Sequence, residues 1–205
     1  MDKQNRIVIV GGMAAGPKSA ARARRCDPKA KITIVEQGQT VSEGSCGLPY
    51  YVAGQVSTEN SLLIRGAKYF KDIMDIDVLL GTRATAIDRA GHELEIVDLN
   101  TNTTSRLPYD KLVIASGATP AVPRALKGRE LKGVFTLTKI ADANGILKEM
   151  ADASPKRAVV VGAGLIGIET AEAFRERGLH VSIVEALDTA LPALLDPEMA
   201  AHTEQ

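Results

Sequence analysis

Three groups of residues in this 205-residue sequence could do chemistry. The first is Gly162-Ala-Gly-Leu-Ile-Gly167, which follows the apolar run Arg157–Val161; Glu185 ends the next apolar run, His180–Val184. In a turn of this spacing the first glycine lets the chain reverse sharply and the second lets the backbone approach a pyrophosphate. The third lets helix and strand pack closely, while the helix N-terminus faces the anionic phosphates. A carboxylate at the end of the next strand accepts hydrogen bonds from a ribose diol, so Gly162, Gly164, Gly167 and Glu185 read as a dinucleotide-binding set. The second group repeats the first. Gly11-Gly-Met-Ala-Ala-Gly16 follows Arg6–Val10, and Glu36 closes Lys31–Val35. Gly11 and Gly16 fill the outer positions, and Met13 stands where the second glycine belongs. One glutamate at a strand end is ordinarily a solvated residue; two in equivalent positions argue for a shared task. The third group is Cys46, whose thiol precedes a helix that Pro49 opens and Gly54 closes. The positive end of that helix favours thiolate; from the residues alone the alternative is a buried, inert thiol. Cys26, at a helix end before Asp27-Pro28, reads as an inert thiol.

The elements that must position these residues form an internal repeat: strand, glycine turn, helix, strand, acidic residue, twice. The first of these strands, Arg6–Val10, is a short, uninterrupted apolar run of the kind buried on both faces of a parallel sheet. The first helix runs to about Arg25, with Pro17 acceptable in its first turn. Between 78 and 110 the pattern changes to short β-rich pieces, at 78–80, 85–87, 92–97 and 103–107, with turns at 88–91 and 100–102. This predicts a small antiparallel meander inserted in the first α/β unit. A further strand runs from Lys111 into Ala115-Ser-Gly117, a proline-spaced linker follows at 120–123, and helices are expected near 139–150 and 168–177. The expected architecture is α/β, with two Rossmann-like dinucleotide-binding units. Residues 1–120 form the first domain, and 121–205 form a linker and the start of a second domain.

Composition narrows the function classes. Lys plus Arg is 25 and Asp plus Glu is 25, so the net charge is zero. Without a basic block the chain is a poor nucleic-acid binder. Aromatic residues are 3% and Trp is absent, which removes stacking platforms for bases. No apolar run approaches the roughly 20 residues that a membrane span needs. The polar N-terminus, 1–6, does not read as a signal peptide, and two cysteines make no disulfide framework. A cytoplasmic setting is expected. Glu185 accepts from a free 2′-hydroxyl and repels a 2′-phosphate, and Ala186 and Leu187 supply no base to receive one; NADH is therefore expected over NADPH.

Val10-Gly-Gly-Met-Ala-Ala-Gly16, Ser42-Glu-Gly-Ser-Cys-Gly-Leu-Pro-Tyr-Tyr51, Tyr109-Asp-Lys-Leu-Val-Ile-Ala-Ser-Gly-Ala118 and Val161-Gly-Ala-Gly-Leu-Ile-Gly-Ile-Glu169 occur in that order. Together they resemble the flavin-dependent pyridine nucleotide-disulfide reductases. More closely they resemble the single-cysteine branch: coenzyme A-disulfide reductases, persulfide reductases and NADH oxidases, where a missing second glycine in the first turn is usual. The resemblance implies that the first unit binds FAD and the second NADH. It implies cofactor contacts at Gly11, Ala15, Gly16, Glu36, Ala84, Ala115, Ser116, Gly117, Gly162, Gly164, Gly167, Glu169 and Glu185. It also implies that Cys46 is the redox-active residue. The two-cysteine pattern would place a second thiol at position 51, which is Tyr51, so the expected oxidised state is a mixed disulfide, persulfide or sulfenic acid.

Lys18, Arg22 and Arg25 fall at i, i+4 and i+7 on the first helix and form one basic stripe. Its plain reading is a solvated face. The resemblance offers another, in which Arg22 and Arg25 hold the phosphates of coenzyme A and Ser42 and Ser45 line the same pocket. Ala14 stands where NADH peroxidases carry a histidine, which counts against a peroxidase. Family members run to about twice this length, which implies that the chain is an N-terminal portion lacking the second FAD-binding strand, the rest of the nicotinamide domain and a dimerisation domain. Half a parallel sheet would expose an edge and an apolar face. A homodimer acting on a small-molecule disulfide or persulfide is the expectation for the full-length protein; an NADH oxidase, or a cofactor-binding fragment without turnover, are the alternatives.

Overall fold

The computed structural model describes residues 4–204; residues 1–3 of the polar N-terminus, and 205, lie outside the described residues. In chain order the elements are β1 (Arg6–Val10), α1 (Ala15–Cys26), β2 (Lys31–Val35), α2 (Leu48–Ala53), α3 (Ala67–Met74), β3 (Ile76–Leu79), β4 (Thr82–Asp88), β5 (Glu93–Asp98), β6 (Thr103–Pro108) and β7 (Lys111–Ile114). They continue with α4 (Ile140–Ala153), β8 (Arg157–Val161), α5 (Leu165–Glu176), β9 (His180–Val184) and α6 (Pro197–Thr203). The chain divides into two compact units. One comprises Met1–Gly44 and Leu63–Thr119, the other Ser45–Leu62 and Pro120–Gln205. The segment 45–62, which a cut at residue 120 assigns to the first domain, groups with the second unit.

The first unit is three layers. Its central sheet is parallel, in the order β3-β2-β1-β7. Alternate residues point to opposite faces. Ile9, Ile32, Ile34 and Ile76 bury against Ala20 of α1 and Phe70 of α3, while Val8 and Val35 bury against Leu94, Ile96 and Tyr109. The second of these clusters lies under the antiparallel sheet β4-β5-β6. Its turns are fixed locally: Asp88 accepts from the amides of Ala90 and Gly91 at 3.0 and 2.8 Å, and Asp98 from those of Asn100 and Thr101 at 2.8 and 3.1 Å. These donors hold the Asp98 carboxyl below its ordinary pKa. Arg6 ties the start of β1 to the turn before β7, its Nε and Nη2 donating to Asp110 at 3.0 and 3.1 Å.

The reading of 78–80 as the first piece of the meander is overturned. Ile76–Leu79 is a parallel strand paired with β2, in register from Ile32↔Ile76 to Val35↔Leu79, and the meander begins at Thr82. The strand is covered from both sides: Val78 joins the helix-side cluster and Leu79 the meander-side cluster. Four residues containing Asp77 are too few to display that two-sided burial in sequence. Helix α3 shows why it is silent too, since Phe70 is its one fully buried residue.

In the second unit β8 and β9 form a parallel pair, in register from Arg157↔His180 to Val161↔Val184. Val160 is buried on one face. On the opposite face Val159, Val161 and Val184 are 64%, 62% and 53% exposed, so the uncovered apolar surface expected of half a sheet is present. Helix α5 begins at Leu165, three residues earlier than the sequence suggests, because Gly164 already serves as its N-cap. Helix α4 is fixed at its start by Asp142, whose Oδ2 accepts from the amides of Thr138 and Lys139 at 2.8 and 3.1 Å. Among the described residues no helix is long and apolar enough to cross a membrane.

Candidate functional site

Each unit carries one glycine turn, and the two are built alike. In the first, Gly11 has φ +110° and its amide donates to Val35 O at 2.8 Å. In the second, Gly162 has φ +106° and its amide donates to Val184 O at 2.7 Å. The third glycines make the same close approach: a Cβ on Gly16 would lie 1.8 Å from Gly11 O, and one on Gly167 would lie 2.0 Å from Gly162 O. The two glutamates latch their turns in the same way. Glu36 Oε2 accepts from the Gly12 amide at 2.6 Å, and Glu185 Oε2 from the equivalent Ala163 amide at 2.7 Å. Glu36 Oε1 also accepts from Gly38 at 2.6 Å, and Glu185 Oε1 from Ala186 and Leu187 at 2.7 and 3.0 Å. Three backbone donors, Ala163 foremost, hold the Glu185 carboxyl below its ordinary pKa. It is ionised at neutral pH.

The turns differ where the sequence does. Nothing lies within 4 Å of a Cβ placed on Gly164, so the start of α5 is open to a close ligand. The Ile168 amide donates to Gly164 O at 3.0 Å and begins the helix there. The corresponding residue of α1 is Pro17, which has no amide. The first such bond of α1 runs from Lys18 to Ala14 O at 3.3 Å, one residue later. Around the first turn the end of β7 is also packed in: the Ala115 amide donates to Val10 O at 2.8 Å, and a Cβ on Gly11 would lie 2.1 Å from Ala115 O.

The other expected contacts fall as follows. Ala15, Ser116 and Gly117 are exposed, Glu169 is half-buried on α5, and Ala84 packs under the meander beside a register shift. Lys18, Arg22 and Arg25 are exposed and form no ion pair among the described residues. Ser42 is buried at φ +61°; its amide donates to Gly12 O at 2.7 Å and its carbonyl accepts from Ile64 at 2.9 Å, so it braces the first turn. Ser45 and Cys46 are exposed in a short 3-10 turn that runs into α2. Pro49 sits in the first turn of α2, and Gly54, at φ +90°, ends the helix. Cys26 is exposed at the end of α1. The structure groups Ser45 and Cys46 with the second glycine turn, and Arg22, Arg25 and Ser42 with the first.

Two features had no sequence signal. Arg24, within the basic helix, turns inward and donates to the carbonyls of Met74, Pro28, Ala30 and Asp75. Tyr51, at the position of the absent second cysteine, donates to Asn144 Oδ1 at 3.0 Å. One concavity, of about 480 Å³, is an open groove lined by Lys31, Lys71, Asp77 and neighbours rather than by either turn, and Lys71 pairs with Asp77 at 2.7 Å. Among the described residues no cluster of His, Cys, Asp and Glu could hold a metal ion.

Residues 5–205 match the profile of the pyridine nucleotide-disulphide oxidoreductases. The chain belongs to that family. A relative from Methanocaldococcus jannaschii named NADH oxidase is 33% identical over 95% of this chain and 43% of its own length. A Pyrococcus horikoshii protein named NAD(P)H coenzyme A polysulfide/persulfide reductase is 34% identical over 98% of this chain and 44% of its own. The solved structure of an NAD-dependent persulfide reductase from A. fulgidus is 46% identical, with a TM-score of 0.92, over 97% of this chain and 37% of that one. The chain thus spans less than half the length of these relatives, and the resemblance drawn from its four motifs and its two-unit α/β fold are both borne out.

Proposed function

We propose that this chain is the dinucleotide-handling part of an NADH-dependent flavoprotein that reduces a coenzyme A-linked disulfide or persulfide through Cys46. The observation that carries the reading is the pair of matched turns, each latched by a glutamate, with Cys46 between them in sequence. Two dinucleotides suit a protein that passes electrons from one cofactor to another. The residues fit them: Gly164 leaves open space at the start of α5, Gly117 does so after β7, and both glutamates have oxygens placed at strand ends. FAD is assigned to the first turn, with Ala15, Ala84, Ala115, Ser116 and Gly117, and NADH to the second, with Glu169. When bound, the two cofactors supply the two-electron reduction.

The chain's own residues bind, orient and attack. Glu185, whose backbone donors further favour its carboxylate form, accepts from a ribose 2′-hydroxyl and repels a 2′-phosphate. The Cys46 thiolate attacks one sulfur of the substrate; an Sγ–S bond forms, the substrate's S–S bond breaks, and the other sulfur leaves as a thiolate that takes a proton from solvent. Tyr51 cannot resolve this adduct as a second cysteine would. Arg22 and Arg25 hold the phosphates of coenzyme A. Of the two serines, Ser45 is exposed and open to the substrate, whereas Ser42 is buried. A cytoplasmic homodimer for the whole protein belongs to the same reading, and sedimentation of a monomer would remove that part of it. The name of the M. jannaschii relative favours a second reading, an NADH oxidase in which Cys46 cycles through sulfenic acid.

The test is anaerobic rapid mixing of the whole flavoprotein with NADH and then disulfide. Cys46→Ser should keep cofactor binding and flavin bleaching by NADH, and lose disulfide or persulfide turnover by orders of magnitude; Cys26→Ser should change little. Disulfide reduction retained in Cys46→Ser, or lost in Cys26→Ser, refutes the assignment. Oxygen consumption far exceeding disulfide turnover selects the second reading.

A further inference from the structure

The segment that carries Cys46 is held by residues far from it in sequence. Arg177, just after α5, donates from Nε to the carbonyl of Val52 in the last turn of α2 at 2.7 Å. Its guanidinium can come this close because Gly54 has no side chain: a Cβ there would lie 2.8 Å from Nη2 of Arg177. Gly54 thus both ends α2, at φ +90°, and admits the cation to the negative end of the helix. Further along, Gln55 Nε2 donates to both oxygens of Glu176 at 2.9 Å. On the other side Tyr51 donates to Asn144, whose Nδ2 donates to Glu59 at 2.8 Å. Cys46 stands at the opposite end of α2 from Arg177, ahead of Leu48.

We propose that Arg177 is a positioning residue for Cys46: it fixes the C-terminal end of α2 to the end of α5 and so sets where the thiol at the other end of α2 stands. The proposal rests on the reading of Cys46 as the nucleophile. Helix α2 is a lever of about 9 Å, six residues at about 1.5 Å each. A tilt of about 10° about a loosened C-terminal end moves the thiol end by roughly 1.5 Å, and a misplacement of about 1 Å can cost about 100-fold in rate. The helix that carries this anchor is the one whose first turn follows Gly164, so one rigid element joins the second glycine turn to the cysteine segment.

The experiment uses the whole flavin-loaded protein with Arg177→Ala, Arg177→Lys and Cys46→Ser. Anaerobic rapid mixing separates flavin bleaching by NADH from reoxidation by coenzyme A disulfide, and amide hydrogen exchange reports on 48–53. Arg177→Ala should slow the disulfide step by about 10- to 100-fold, leave the NADH step within about threefold, and speed exchange in 48–53. Millimolar guanidinium should restore part of the disulfide step, and Arg177→Lys should fall between wild type and Ala. Unchanged exchange in 48–53, an unchanged disulfide step, or an equal fall of both steps without guanidinium rescue would each overturn the proposal. Disulfide turnover retained in Cys46→Ser refutes the cysteine reading, and the positioning role with it, through a different variant.

Discussion

Arg24 and Arg25 are neighbours on one helix and should behave as opposites. The Arg24 side chain is 14% exposed and its guanidinium spans four carbonyls. Those of Pro28 and Asp75 are exposed, so water replaces the lost donor there, and the ion pair to the Asp75 carboxylate, 84% exposed, is discounted on the same ground. That leaves Met74 O at 2.9 Å and Ala30 O at 2.8 Å, both part-buried. Bonds to a charged donor contribute about 1.5–3 kcal/mol each, so Arg24→Ala should cost about 3 kcal/mol or more. Arg24→Lys keeps the charge and the stem but not the fork, and should lose about half as much. Arg25→Ala removes an exposed group and should stay within about 0.5 kcal/mol. Urea denaturation of the 205-residue chain, followed by far-ultraviolet circular dichroism, measures all three. If Arg24→Ala were no more damaging than Arg25→Ala, the clamp that joins the end of α1 to the junction of α3 and β3 would have no energetic content.

Three further outcomes are expected. In the whole enzyme, kcat/KM should be higher with NADH than with NADPH, because Glu185 is ionised and no base follows it; the reverse order would sink that argument. The double variant Arg22→Ala/Arg25→Ala should raise KM for coenzyme A disulfide by about tenfold or more while a small disulfide is spared, given about 1.5–3 kcal/mol per charge-assisted bond; equal losses would return the stripe to a solvated face. Gly11→Ala should cost about 1–3 kcal/mol in backbone strain and about 1–3 kcal/mol more in overlap with Ala115, whereas Gly162→Ala at a similar φ, with nothing nearby, should cost the strain alone; equal losses in urea would contradict the steric distinction.

The parts of this fold that a reader of the sequence can find are those with a regular physical signature. After their first residue strands β1 and β8 are continuous apolar runs, β2 and β9 are apolar runs broken only by Thr33 and Ser182, and the glycine turns announce themselves because their backbone conformations exclude side chains. Helix α2 is legible for the same reason, through Pro49 and Gly54. What escapes is decided by partners distant in the chain. Asp77 hides a parallel strand within a β-rich stretch, and Arg24 carries no mark that distinguishes it from Arg22 and Arg25 until the carbonyls of Met74 and Asp75 are placed. The site behaves likewise. Glu36 and Glu185 can be picked out by their position at strand ends, but not the Gly12 and Ala163 amides they engage. Nothing in the run from Ser45 to Gly54 signals that Asn144 and Arg177 will hold it.

The valine face of the β8–β9 pair has a consequence for the molecule in bulk. Fully burying a valine contributes about 1.5–3 kcal/mol, so three that are more than half exposed leave roughly 3 kcal/mol unrealised, about two orders of magnitude in an association constant. With 25 positive and 25 negative residues there is no net charge to keep molecules apart. Val159, Val161 and Val184, with the other exposed apolar side chains, therefore favour self-association of the 205-residue chain: it should be insensitive to salt at low ionic strength and should weaken when a charged side chain is placed on that face.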